Sequence, residues 1–276
     1  MRILACQIDV PQVTDAKARN SHVGHLDELI SERLHTCRGA DLVVLPELST
    51  ITYSEAAFKN LDDLAEGLDG PSVRTFAQIA RRHAVHICFG MPRRDGDHFY
   101  ISQIVLNPDG DLVGFYDKLH MAQFGASVEK PYFTRGDHLL VFQVAGVRVA
   151  PIICYDHRFP ELTRTLALKH GVDVILHPVA FFRDSTFYSW HQCAITRAIE
   201  NQVHLLSLNR AGKDYGASIL APPWIDETGQ PLVMGNDETL ELIEIDLSLT
   251  ENARKRFPYR LDMLEDYASL QVTGIS

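Results

Sequence analysis

Residues Gly39–Pro46 read G-A-D-L-V-V-L-P, and residues Gly171–Pro178 read G-V-D-V-I-L-H-P. Each stretch follows a predicted helix and carries a run of apolar residues, typical of a buried parallel strand, into a proline. Similar alternations of strands and helices surround both stretches, so we predict two related halves whose sheets pack face to face beneath outer helices. The predicted fold class is α/β, a four-layer α-β-β-α sandwich of two mixed sheets with pseudo-two-fold halves. The alternative is that this pattern recurs wherever a parallel strand follows a helix.

Local signals place helices and turns between the predicted strands. Asn20–Cys37 has apolar residues at helical spacing, and Pro71 and Pro160 are each suited to the first turn of a helix. The sequences N-P-D-G at Asn107–Gly110 and D-E-T-G at Asp226–Gly229 predict hairpins that add antiparallel strands at the sheet margins. With 276 residues, the chain fits one large domain.

Composition argues against several classes of protein. The net charge of −10 disfavours a general polyanion binder, because nucleic-acid affinity depends largely on Lys and Arg. Five cysteines without C-x-x-C spacing fit reduced thiols better than a disulfide framework or a zinc site. No apolar stretch approaches the roughly 18 residues of a membrane span, and the N-terminal segment has no secretory pattern. We therefore expect a soluble, cytoplasmic protein that binds neither nucleic acid nor membrane.

Three reactive side chains stand where predicted strands end. In V-R-V-A-P-I-I-C-Y-D-H-R-F-P-E-L an apolar run stops at Cys154 and the chain becomes polar, while D-L-V-V-L-P-E-L delivers Glu47 and G-F-Y-D-K-L delivers Lys118. A thiol can act as nucleophile, a buried glutamate with a raised pKa as its base, and a lysine as the stabiliser of an oxyanion. This combination predicts a hydrolase. The ordinary alternatives are a structural thiol, a solvated loop carboxylate and a surface lysine.

Other candidates carry weaker signals. His120 and His157 lie near these blocks, yet neither fits the local patterns of papain-like or caspase-like enzymes, so we interpret both as structural or substrate-lining. Glu129, in S-V-E-K-P-Y-F, is on its own a typical surface charge.

Four sequence blocks resemble the nitrilase superfamily, the carbon–nitrogen hydrolases: L-P-E-L, Y-D-K-L-H, I-C-Y-D-H-R-F-P-E-L and R-A-I-E-N-Q-V-H-L-L-S-L-N-R-A-G. The resemblance runs from Ile3 to about Ile245, and it implies the nitrilase-like sandwich, a Glu–Lys–Cys triad and no metal or organic cofactor. It also places a second glutamate between the lysine and cysteine blocks, and oxyanion binding by the backbone amide that follows the cysteine. In this sequence the catalytic residues implied are Glu47, Lys118, Cys154 and Glu129, and the amide is that of Tyr155.

The resemblance favours the amidase branches. C-Y-D-H-R-F-P-E-L is similar to the corresponding run of Nit-type amidases and ω-amidases, whereas E-K-P-Y-F-T-R-G-D is similar to N-carbamoylputrescine amidases. We expect a cysteine amidohydrolase that converts a small amide to a carboxylate and ammonia through a thioester. The alternatives are an N-carbamoyl amidohydrolase, a nitrilase, which the missing Cys-Trp-Glu run disfavours, and a catalytically inactive interaction protein.

Substrate contacts are predicted around the nucleophile. Arg158 could pair with a substrate carboxylate, or instead form an ion pair with Glu161 or Asp156. Phe181 and Tyr132 are candidates for shaping the pocket, although clustered aromatic residues are more often core.

The division of the chain follows from the resemblance. We expect residues 1–247 to form the carbon–nitrogen hydrolase domain, and residues 248–276 to be a C-terminal tail that contacts the partner in a homodimer or higher homo-oligomer.

Overall fold

The chain folds around two β-sheets. The structure, a computed structural model, describes residues 1–37, 39–264 and 266–274, so four residues of the predicted domain and tail, at positions 38, 265, 275 and 276, lie outside it. The strands, in chain order, are β1 (Arg2–Gln7), β2 (Leu42–Val44), β3 (His86–Asp95), β4 (His98–Leu106), β5 (Leu112–Asp117), β6 (Phe142–Val144), β7 (Val147–Pro151), β8 (Val174–Pro178), β9 (His204–Leu208), β10 (Ile219–Ala221), β11 (Leu232–Val233) and β12 (Thr239–Glu244).

Helices connect these strands. The α-helices are α1 (Ala16–Thr36), α2 (Glu55–Phe58), α3 (Leu61–Leu64), α4 (Pro71–His83), α5 (Pro160–Lys169), α6 (Trp190–Asn201), α7 (Leu247–Arg256) and α8 (Tyr259–Asp262). Short 3-10 helices span Cys154–Arg158 and Phe187–Ser189. Pro71 and Pro160 begin α4 and α5 as predicted, because proline lacks only an N–H that the first turn does not use.

The two sheets have the same topology. Their strand orders are β12-β1-β2-β3-β4-β5 and β11-β10-β9-β8-β7-β6. In each sheet three consecutive strands, β1–β2–β3 or β7–β8–β9, are parallel, and antiparallel strands flank them on both sides. The repeated sequences form β2 and β8, the middle strands of the two parallel sets. The predicted sandwich of two mixed sheets is therefore confirmed, and its halves correspond strand by strand.

Successive side chains of a strand point alternately into the core between the two sheets and into the core beneath the outer helices. In β1, Ile3 and Ala5 pack between the sheets, whereas Leu4 and Cys6 pack against the outer helices, as expected when successive side chains point to opposite faces. Helices α1 and α4 cover the first sheet, and α5 and α6 cover the second. The core between the sheets is formed by side chains from both, including Ile3, Ala5, Leu42, Val44, Val149, Val174, Leu176, Leu206 and Leu208. The order of layers is helix, sheet, sheet, helix.

Some boundaries differ from the sequence predictions. Helix α1 begins at Ala16 rather than Asn20, because the Asp15 side chain caps it by accepting a hydrogen bond from the Ala18 N–H at 2.8 Å. Strand β3 is long because nine of its residues, Ile87–Asp95, pair with β4. The short elements α2, α3, α8 and β11 had no clear periodic signal.

The start of the predicted C-terminal tail packs against the domain. Helix α7 buries Thr250 and Ala253, and the Gln202 side chain donates to the backbone oxygens of Ala253 and Phe257 at 3.0 and 2.8 Å. Farther along the tail, large apolar side chains are exposed, as at Leu261. No helix in the described ranges is both long and apolar enough to cross a membrane.

Candidate active site

The predicted reactive residues converge from both sheets. Glu47 lies three residues beyond β2, Lys118 directly follows β5, and Cys154 lies three residues beyond β7. Glu47, Lys118 and Glu129 have no solvent exposure, and Cys154 is 7% exposed. Long-range pairing therefore brings into one buried site four side chains that the sequence spreads over more than 100 residues.

Lys118 is held between two carboxylates. Its Nζ lies 2.7 Å from Glu47 Oε1 and 2.6 Å from Glu129 Oε1. Glu129 Oε1 also accepts the Tyr53 hydroxyl hydrogen at 2.6 Å, and Glu129 Oε2 accepts the Ala122 N–H at 2.7 Å. Charge-assisted bonds of this length fix both partners, so Glu129 positions the ammonium group of Lys118.

Burial and mutual charge set the protonation states. Burial raises the pKa of Glu47, Lys118 opposes the rise, and the charge of Glu129 adds to it. Burial, and then the charge of Glu47, raise the pKa of the Cys154 thiol well above its usual value. Burial would lower the pKa of Lys118, but Glu129 and Glu47 outweigh it and hold that pKa well above the ordinary range. The resting site thus holds a neutral thiol, a charged lysine and a glutamate whose basicity is increased.

Glu47 and Cys154 meet at a shared backbone donor. The Ala180 N–H donates to Glu47 Oε2 at 3.0 Å, and the same N–H interacts with the Cys154 sulfur and partly offsets the rise in its pKa. The backbone that carries Glu47 is held from the other half of the molecule. Arg210, which is buried, donates through Nη2 to the carbonyl oxygens of Glu47, Leu48 and Ile51 at 2.8–3.1 Å.

Cys154 begins a 3-10 helix in an uncommon backbone conformation. Its φ is +42°, in the left-handed region that side chains other than glycine rarely adopt. The buried Asp156 carboxylate stabilises the turn, since it accepts the Ile153 N–H at 3.0 Å and the Tyr116 hydroxyl at 2.7 Å. It also accepts hydrogen bonds from the backbone N–H and the ring Nδ1–H of His120, whose ring stacks on Phe159. His120 is therefore part of the support of this turn.

A narrow pocket opens at Cys154. Its lining residues come from three segments and are Ala122, Phe124, Ser127, Cys154, Tyr155, Arg158, Ala180, Phe181, Phe182, Asp184 and Thr186. The free space amounts to about 20 Å³, enough for roughly one water molecule.

Of the residues predicted to contact the substrate, Arg158 and Phe181 line the pocket and Tyr132 does not. Arg158 lines the pocket and donates to Cys193 Sγ at 3.1 Å and to the Thr186 carbonyl at 3.3 Å. Within the described ranges, no carboxylate lies within ion-pair distance of Arg158. Phe181 lines the pocket and stacks on Trp190. Tyr132 is not among the lining residues, and its hydroxyl donates to Glu55 at 3.0 Å.

Sequence reasoning missed several supporting residues. Arg210 lies within a block that carries the family resemblance, which is a signal for it, but no local pattern marks Tyr53 or Asp184. Asp184 lines the pocket and accepts hydrogen bonds from the N–H and the hydroxyl of Thr186. In the part of the chain that the structure describes, no group of three His, Cys, Asp or Glu side chains could hold a metal ion.

Comparisons with known proteins agree with this geometry. The family model described as carbon-nitrogen hydrolase matches residues 3–255. A nitrilase of Pyrococcus abyssi is 35% identical over 79% of this chain and 81% of its own length, and a 2-oxoglutaramate amidase of Bacillus subtilis is 32% identical over 82% and 86%. A solved structure of a CN-hydrolase superfamily protein from Xanthomonas campestris, 27% identical, superimposes with a TM-score of 0.80 over 98% of this chain and 99% of that one.

Proposed function

The chain belongs to the carbon–nitrogen hydrolase family and hydrolyses C–N amide bonds, and we propose that it does so as a cysteine amidohydrolase with a thioester intermediate. The observation that carries this proposal is the contact network that joins Lys118 to Glu47 and Glu129 beside Cys154 in one buried site. A thiol, a glutamate of raised pKa and a fixed ammonium group are the parts that acyl transfer requires.

In the proposed acylation step, Glu47 removes the thiol proton of Cys154 and the sulfur attacks the amide carbonyl carbon. The carbonyl oxygen becomes an oxyanion, which the ammonium group of Lys118 and the N–H of Tyr155 stabilise. Collapse of this intermediate breaks the C–N bond, and the leaving nitrogen takes the proton from Glu47. Ammonia departs and a thioester remains on Cys154.

In the proposed deacylation step, Glu47 acts as base a second time. It removes a proton from a water molecule, whose oxygen attacks the thioester carbonyl, and the same donors stabilise the second oxyanion. The C–S bond then breaks, the carboxylic acid product leaves, and the sulfur regains a proton from Glu47. Glu129 keeps the Lys118 ammonium in place through both steps.

We propose that the substrate is an ω-amide that carries a carboxylate. Arg158 lines the pocket without a carboxylate partner among the described residues, so its guanidinium can bind an acidic substrate group in bidentate fashion. The similarity to a 2-oxoglutaramate amidase supports the same class. Asp184 also lines the pocket, and its negative charge would repel a second carboxylate placed beside it.

Nitrile hydrolysis is the second candidate, because a relative 35% identical to this chain is named a nitrilase. The residues after the nucleophile, Tyr155 and Asp156, differ from the Trp and Glu that nitrilases commonly carry at these positions. An N-carbamoyl substrate would fit the same chemistry and release carbon dioxide with ammonia. An inactive binding protein would not require the buried charges of Glu47, Lys118 and Glu129, each of which is unfavourable to bury.

The test measures ammonia and carbon dioxide release from a panel of ω-amides, neutral amides, N-carbamoyl compounds and nitriles. We expect ammonia without carbon dioxide from an acidic ω-amide, and none from Cys154→Ala. Arg158→Ala should raise KM for acidic amides but not for neutral ones, whereas Arg164→Ala, outside this pocket, should change neither. Equal activity of Arg158→Ala on both classes would refute the carboxylate assignment, and turnover by Cys154→Ala would refute the mechanism.

A further inference from the structure

Two buried histidines donate to the backbone carbonyl of the nucleophile. His157 Nδ1 and His177 Nε2 each lie 2.8 Å from the carbonyl oxygen of Cys154. Both side chains have no solvent exposure, and their ring centroids are 4.6 Å apart. The mechanism proposed above uses neither histidine. A carbonyl oxygen has two lone pairs, so it can accept hydrogen bonds from both rings.

The positions of the hydrogens follow from the partners. A carbonyl oxygen only accepts, so Nδ1 of His157 and Nε2 of His177 must each carry a hydrogen. The other nitrogen of His177, Nδ1, lies 2.8 Å from Ser207 Oγ, and the Trp190 Nε1–H donates to that same oxygen at 2.8 Å. Ser207 therefore accepts from Trp190 and donates to His177. A directed chain of hydrogen bonds runs from Trp190 through Ser207 and His177 to Cys154.

Both rings are neutral at physiological pH. Burial lowers the pKa of His177 to about 4, and burial together with the neighbouring His177 lowers the pKa of His157 well below its usual value. Each ring is thus a neutral donor with one fixed tautomer, and neither contributes a charge to the site.

The carbonyl of Cys154 and the N–H of Tyr155 belong to the same peptide group. Hydrogen bonds to a carbonyl oxygen draw electron density from the amide nitrogen, which makes the N–H a stronger donor. In the part of the chain that the structure describes, no acceptor is found for the Tyr155 N–H. We propose that His157 and His177 are positioning residues that polarise and orient this peptide group, so that its N–H binds the reaction's oxyanion more strongly. This inference rests on the proposed function and extends it.

The expected change in kcat follows from the contribution that one oxyanion donor makes to kcat. One such donor contributes about 10²- to 10³-fold to kcat, and one cooperative hydrogen bond strengthens its neighbour by about 10–30%. Loss of one histidine should therefore lower kcat by about 2- to 8-fold through polarisation, with little change in KM.

The kinetic test compares His177→Phe with His177→Gln. Phenylalanine keeps a ring of similar size but donates nothing, whereas the glutamine amide can donate to Cys154 and accept from Ser207. We expect the loss in kcat with phenylalanine and its recovery with glutamine. His204→Phe is the matched control, because His204 is also buried in the second sheet and contacts Thr250 rather than the site. If His177→Phe does not fold, His157→Phe removes the other donor to the same oxygen.

Alkylation separates polarisation from simple displacement of the nucleophile. Iodoacetamide reacts with Cys154 at a saturated carbon, so this reaction forms no oxyanion. We expect an unchanged alkylation rate in His177→Phe together with the reduced kcat. A parallel fall in both rates, or an unchanged kcat, would overturn the proposal.

A measurement on the amide itself is independent of turnover. With ¹⁵N-tyrosine labelling, the Tyr155 N–H signal, assigned by Tyr155→Phe, should move to higher field in His177→Phe but not in His204→Phe. If that shift occurs while the wild type hydrolyses no compound of the panel, the polarisation stands and the proposed function fails. If the wild type is active and the signal does not move, the function stands and this inference fails.

Discussion

Replacing Glu129 by glutamine tests whether Glu47 is the base and Glu129 the residue that positions Lys118. The substitution keeps the shape of the side chain and an oxygen that can accept from Lys118 and Tyr53, but it removes the negative charge. The glutamine NH2 group would then face the Ala122 N–H, which donates to Glu129 Oε2 at 2.7 Å. Two donors would oppose each other in a site without solvent.

The loss of stability can be worked from these contacts. A buried donor without a partner costs about 1–3 kcal/mol. The weakened bond to Lys118 adds to this loss, while relief of the repulsion between Glu129 and Glu47 offsets part of it. We expect a net destabilisation of about 1–3 kcal/mol, which corresponds to a fall in Tm of about 2–12 °C in a protein near this size.

The pH profile carries the sharper prediction. Burial raises the pKa of Glu47 and the charge of Glu129 adds to the rise, while Lys118 lowers it. In Glu129→Gln the negative charge that raises the pKa of Glu47 is absent. The ammonium group of Lys118 then pairs with Glu47 alone. Each of these two changes lowers the pKa of Glu47. Because Glu47 works in its deprotonated form, activity falls as the pH drops through this pKa. The acid limb of kcat/KM should therefore move to lower pH, and kcat should fall by about 10- to 100-fold as the base weakens and Lys118 loses its position.

The assay is ammonia release between pH 4 and 9, combined with calorimetry. Glu66→Gln is the control, because Glu66 is a buried carboxylate that contacts Arg19 and Ser72 rather than the site. It should lose stability without a shift in the acid limb. A limb that stays in place or moves to higher pH in Glu129→Gln would refute the assignment of Glu47 as the base.

Three further predictions follow from the same structure. Folded protein treated with iodoacetamide should be labelled at Cys154, which lines the pocket, and not at Cys6 or Cys88, which have no solvent exposure; peptide mapping by mass spectrometry checks this. Asp156→Asn should lose about 1–3 kcal/mol of stability and most activity, as measured by calorimetry and kinetics. The Asp156 carboxylate accepts hydrogen bonds from four donors, and the NH2 group of asparagine would face some of these donors without an acceptor between them. We propose a homodimer formed through the apolar tail, so sedimentation should give a dimer for the wild type and a monomer for Leu261→Glu; a wild-type monomer at micromolar concentration would contradict it.

The sequence was sufficient for the fold, and it singled out Glu47, Lys118 and Cys154, which the structure brings together in one buried site. Strand periodicity and the repeat of Gly39–Pro46 at Gly171–Pro178 predicted two mixed sheets, because a buried parallel strand has a distinct local pattern. The change from apolar to polar residues at strand ends marked Glu47, Lys118 and Cys154, whose role depends on chemistry that their own segments display. Glu129 had no such signal, and only the family resemblance singled it out.

The residues that support the site could not be predicted in this way, because their roles depend on contacts between distant segments. Arg210 reaches the carbonyl of Glu47, 163 positions earlier in the chain, and His177 reaches that of Cys154, 23 positions earlier. His157 illustrates the same limit at short range. From the sequence we interpreted it as structural or substrate-lining, and only the left-handed turn at Cys154 brings its ring to the carbonyl of that residue. A pattern of residue types identifies a nucleophile by the strand that presents it. The electronic state of the peptide group beside that nucleophile depends on which buried donors the fold brings to it, and this is why a ring buried in the core can influence the reaction without contact with the substrate.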